Sequence, residues 1–163
     1  METNVKKSNN NSILLVSMFT ALVGSVLMLV SLLLPYITGG YGDIQSYSMV
    51  SYVKLAFDEG NKYAGTSVFG VIMLVMVIII GLFSLLSFVF SLARKPIPVL
   101  IFTVLACIAF CVQCWDFTDR GVIGENALSW GSAFYAFIIG VIIALAGAVF
   151  MLIQKIRIKK QEV

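Results

Sequence analysis

The chain has 163 residues, 60% of them hydrophobic and 12% charged, with a mean hydropathy of +1.02. A water-soluble domain carries nearer half apolar and about a quarter charged residues, so an ordinary soluble fold is excluded. Four spans of roughly twenty residues, with their connections, use nearly the whole length, and a separate catalytic domain is not expected. The net charge of +3 matters less than where the charges fall, and the absence of histidine removes the commonest general base and transition-metal ligand. The sequence is therefore expected to encode an all-α membrane protein: a four-transmembrane-helix antiparallel bundle without enzymatic activity, cofactor, bound metal or nucleic-acid partner.

Met1 to Ser12 is polar and Asn-rich, with Lys6 and Lys7. An uncharged apolar run follows, giving a first span at about 13–35 that closes at Pro35, which has no backbone N–H to continue a helix. The run is longer than a signal-peptide core and no Ala-x-Ala site follows it, so it is expected to be retained. The remaining spans are expected at about 67–93, 98–115 and 132–154, and none of the four cores holds Asp, Glu, Lys or Arg. Helices suit such segments because every backbone group in lipid must be satisfied internally. Between the second and third spans stand only Arg94-Lys95-Pro96-Ile97, which dictates a tight hairpin, and Pro98 fits the first turn of the helix it opens.

Charge predicts the orientation. One side carries Lys6, Lys7, Arg94, Lys95, Lys155, Arg157, Lys159 and Lys160; the other carries Lys54, Lys62 and Arg120 together with most of the acidic residues. The positive-inside rule places the first set, and with it both termini, in the cytoplasm of a multi-pass plasma-membrane protein. All six tyrosines (Tyr36, Tyr41, Tyr47, Tyr52, Tyr63, Tyr135) and both tryptophans (Trp115, Trp130) fall on or near the outer face, where they are expected to anchor the chain at the lipid interface. In the first outer loop, residues 36–66, the positions Met49, Tyr52, Val53, Ala56 and Phe57 match an amphipathic-helix template, with Ser48 or Ser46 as cap and Gly60 as stop. A short extracellular amphipathic helix is expected there, with Met49, Tyr52, Val53 and Phe57 facing a partner or the membrane surface. Strand pairing competes with it, because Tyr47, Met49 and Val53 also share a period of two. The second outer loop, 116–131, is short and acidic; Asp116, Asp119 and Glu125 match no calcium-loop spacing and are expected to be solvated.

Cys111-Val112-Gln113-Cys114 is the one candidate for covalent chemistry. This C-x-x-C near the outer end of a four-span protein resembles the bacterial disulfide-bond oxidase and vitamin K epoxide reductase families, and the resemblance implies a redox pair at Cys111 and Cys114. Two features depart from it. Both outer loops lack the relay cysteines usual in those families, and the pair closes a helix at the end whose dipole disfavours thiolate. The competing reading takes Thr103, Cys107, Cys111 and Cys114 as one stripe of small side chains for helix packing. Comparable stripes are Ser17, Ala21 and Ser25 with Gly24; Gly81, Ser84, Ser87 and Ser91; and Gly140, Ala144 and Ala148 with Gly147. Gln113 is expected to be a hydrogen-bonding packer. The basic tail, 155–163, offers Lys155, Arg157, Lys159 and Lys160 to an anionic leaflet.

The larger first and smaller second outer loops resemble the hydropathy profile of claudins, without the claudin W…GLW…C…C signature. The Asn- and Lys-rich start and cysteine-free exterior are similar to small four-span proteins of Gram-positive bacteria. The function expected from these features is that of an accessory, protective or envelope factor binding a membrane protein or lipid partner. A thiol–disulfide oxidoreductase and a subunit of an oligomeric channel or transporter are the alternatives.

Overall fold

The computed structural model describes residues 2–39, 45–51, 53–54, 67–121, 123 and 128–161. They are mostly helical, with four helices long and apolar enough to cross a membrane: α1 (Glu2–Ser31), α2 (Ser67–Leu92), α3 (Pro96–Asp119) and α4 (Ser132–Gln161). Among these residues three short strands, β1 (Pro35–Gly39), β2 (Gln45–Ser48) and β3 (Leu128–Trp130), join as one antiparallel sheet in the order β2-β1-β3.

The helix ends follow from local chemistry. α1 stops at Ser31, four residues before the proline expected to close it, because Leu32, Leu33 and Leu34 tighten into turns whose amides donate to the carbonyls three residues back (3.0–3.2 Å). Pro35 then opens β1, a place where its missing donor costs nothing. α3 begins at Pro96, earlier than Pro98, and runs through Asp119, so the first residues of the expected second loop are helical. α4 carries the basic segment 155–160 as unbroken helix. Its 30 residues span about 45 Å, more than the roughly 30 Å of a hydrocarbon core.

α1 and α4 make the closest contact. A Cβ on Gly24 would meet the backbone nitrogen of Ala144 and lie 2.6 Å from the carbonyl oxygen of Gly140, and one on Gly147 would strike the backbone nitrogen of Ala21. These glycines bring two backbones together, as small residues do where lipid supplies no hydrophobic drive for association. Ser17, Ala21, Ser25, Ala144 and Ala148 are buried on the same faces. α2 packs against α3 and α1, and α3 also against α4.

One polar layer crosses the interior. Ser87 of α2 lies 3.1 Å from the Ser25 hydroxyl of α1 and 2.8 Å from the Thr103 hydroxyl of α3, and all three are buried. Ser25 also donates to the Ala21 carbonyl, so a lost partner does not strand it. Ser87→Ala is therefore expected to cost about 1 kcal/mol, and a double-mutant cycle with Ser25→Ala to show coupling of about 0.6 kcal/mol, measured by thermal unfolding in detergent. Zero coupling would mean that the hydroxyls merely lie near one another.

Of the stripe Thr103, Cys107, Cys111 and Cys114, only Thr103 lies on the packing face of α3. That face is Val99, Thr103, Ala106, Phe110, Gln113 and Phe117, displaced about one residue around the helix, while Cys111 is exposed and Cys107 and Cys114 half-buried. Aromatic volume fills the core against α4, and the cysteines are left at its margin.

Candidate functional site

The sheet lies over one end of the helices and shares their core. A register shift between Pro35 and Ile37 lets two successive residues, Tyr36 and Ile37, both turn inward, and both are fully buried. The Tyr36 ring meets Phe110, Phe117 and Trp130 edge-on, with centroids 5.9, 5.4 and 5.4 Å away. Its backbone carbonyl accepts the Gly131 amide at 2.8 Å, and a Cβ on Gly131 would collide with the Pro35 carbonyl, so only glycine fits where β3 passes into α4. The Tyr36 hydroxyl lies 3.3 Å from the Cys114 sulfur. Burial first, and then Cys114 beside it, raises the Tyr36 phenol well above its ordinary range.

These placements correct the expectation that the outer aromatics are interface anchors. Tyr36 is a core residue and Trp130 is half-buried, stacked on Phe134 at 4.9 Å, whereas Trp115 and Tyr135 are exposed at 72% and 59% and can meet a lipid interface. Tyr41, Tyr52 and Tyr63 lie outside the described residues. Residues 49–51 and 53–54 are helical, and the Ser48 hydroxyl accepts the Ser51 amide at 3.1 Å, an N-cap bond. Met49 and Val53 are buried with Tyr36, Ile37 and Phe117, so they serve this chain's own core and are not free to face a partner. Phe57 and Ala56 lie outside the described residues.

Beside this cap an apolar groove of about 370 Å³ opens between α3 and α4. Phe110 and Phe137, stacked at 4.1 Å, line it together with Cys107, Cys111 and Cys114 on one wall and Ile138 and Ile142 on the other. Ile138 and Ile142 are exposed, so the groove faces outward from the helices. Its size is at the lower end of the range for ligand pockets, and its lining offers almost nothing to a polar guest. The two residues of the C-x-x-C motif therefore share one apolar hollow, Cys111 open and Cys114 held against the tyrosine, and all three cysteines are free thiols.

Away from the groove, buried Gln113 donates to the Met73 sulfur at 2.7 Å, joining α3 to α2, while its carbonyl oxygen has no partner. Asp116 pairs with Arg120 one turn on at 2.7 Å, and among the described residues no group of three His, Cys, Asp or Glu side chains converges on a metal-sized space. Glu125 lies outside them. Lys155, Arg157, Lys159 and Lys160 are exposed at the end of the helices opposite the sheet. No protein-family model matches this chain, and no curated protein sequence is significantly similar to it.

Proposed function

We propose that this chain is a non-enzymatic multi-pass protein of the plasma membrane, a four-helix antiparallel bundle with both termini cytoplasmic, that acts by binding the apolar part of a membrane partner in the groove between α3 and α4. The observation that carries this reading is the groove itself. It is open to the side, lined by aromatic and aliphatic groups, and lies under a cap that is tied to α3 and α4 by Tyr36 and Gly131. An entrant must come laterally from the lipid phase, because the lining gives a water-soluble ligand no polar contact to replace its hydration. An accessory, protective or envelope role fits this geometry, since such a chain needs a shaped surface and no reacting group. The helical residues 49–51 and 53–54 belong to the cap.

Photo-crosslinking from position 138 tests the reading. With a benzophenone side chain at Ile138 in native membranes, illumination is expected to give one discrete adduct, a protein or a lipid. The same probe at Val89, an exposed position on α2, is expected to give only a diffuse lipid background. Identical patterns at the two sites would remove the groove from consideration.

A further inference from the structure

At the end opposite the sheet, we infer that Arg94 and Lys95, with Lys155, Arg157, Lys159 and Lys160, form a headgroup site for an anionic phospholipid of the adjoining leaflet. This surface is separate from the α3/α4 groove and does not depend on what enters there.

The first observation is a backbone one. α2 closes with the Lys95 amide donating to the Phe90 carbonyl and the Arg94 amide to the Ser91 carbonyl, both at 3.0 Å, the paired bonds of a Schellman ending. That ending needs a residue in the left-handed region, a place for glycine. α3 follows the rule with Gly121 at φ 66°, whereas α2 puts Arg94 there at φ 55°, the one non-glycine residue with positive φ among those described. A side chain in that region is strained, so the position holds a cation against its backbone preference. Such outliers point toward a role for the side chain.

The second observation is placement. Phe90 and Val99, one turn to either side of the hairpin, join Met18, Ala148 and Met151 in one apolar cluster. Lys155 follows Met151 by one turn, so the hairpin and the end of α4 leave the same cluster on the same side. All six cations are exposed. They follow directly on exposed apolar helix surface, Leu92 on α2 and Ile153 on α4. That adjacency of apolar surface and positive charge favours a phospholipid over a soluble acidic partner. Buried Gln154, whose carbonyl oxygen has no partner, precedes Lys155.

The test uses the full chain in neutral detergent, titrated with phosphatidylglycerol or phosphatidylcholine and followed by native mass spectrometry. Each cation near an anionic surface contributes about a fivefold gain in association. Arg94→Gly is therefore expected to bind phosphatidylglycerol about fivefold more weakly, to leave phosphatidylcholine binding unchanged, and to melt at a higher temperature without lipid because the strain is relieved. Replacing Lys155, Arg157, Lys159 and Lys160 together by Gln is expected to reduce phosphatidylglycerol binding further, by more than a hundredfold if their contributions add. Unchanged phosphatidylglycerol binding in either variant would overturn the proposal, as would displacement of the lipid by inorganic phosphate at equal concentration. Lower thermal stability of Arg94→Gly would show that the arginine serves the hairpin and not a lipid.

Discussion

Gly147→Leu is expected to part α1 from α4 and to lower the stability of the purified chain by about 3 kcal/mol or more. The added Cβ would already meet backbone, the nitrogen and Cα of Ala21, and a backbone cannot rotate aside as a side chain can. Gly24→Leu should behave alike, since its Cβ would meet Ala144 and the Gly140 carbonyl. The informative comparison is Gly81→Ala on α2, where the nearest atom to the new methyl is the end of the Leu32 side chain at 3.4 Å. There the gain in helix propensity, up to about 1 kcal/mol, has little to oppose it. Thermal unfolding of the three variants in one detergent decides the matter. Equal losses in all three would mean that glycine content, and not backbone approach, controls the helix contact.

The second large effect centres on Tyr36. Tyr36→Ala removes a fully buried ring from contact with three others and is expected to cost about 3–5 kcal/mol. Tyr36→Phe keeps the ring and loses only the hydroxyl contact with Cys114, for about 1 kcal/mol. The two also differ in their response to alkali. The folded protein holds the phenol neutral above its ordinary pKa of about 10, whereas the unfolded chain ionises there. Unfolding therefore releases a proton, and the stability given by the neutral phenol is complete below pH 10 and lost as pH rises further, at up to about 1.4 kcal/mol per pH unit. Tyr36→Phe should flatten that decline relative to the parent. Parallel curves from pH 9 to 11 would show that Tyr36 is not the titrating group.

The four long helices were legible because an uncharged run of about twenty residues has few other physical outcomes. The small-residue faces of α1 and α4 were legible, Ala21 with Gly24 and Ala144 with Gly147, but nothing along the chain paired these two helices with each other. The packing face of α3 was not legible. In a segment apolar all round, hydrophobic periodicity carries little direction, and size alone drew attention to Cys107, Cys111 and Cys114 when Phe110, Gln113 and Phe117 hold the centre. The sheet was hidden for another reason. The alternating pattern that left strand pairing open reached β2 at Tyr47, but the strands have three to five residues and Ile37 pairs with Trp130 across much of the chain, so no local pattern announces β1 or β3. The same distance made Tyr36 look like an interfacial ring, when its neighbours come from α3 and β3. The groove is a product of that packing and has no signature along the chain.

The central position of β1 sets an order of assembly. β1 and β2 are made early, but the other edge of β1 stays open until Leu128–Trp130 has been synthesised, and the Tyr36 carbonyl waits for Gly131 at the threshold of α4. The cap is thus completed by the arrival of the last helix. A nascent chain halted before that point holds Tyr36 without the Trp130 ring and without the Gly131 amide, so closure of the surface at the far end of α1 is tied to the arrival of α4.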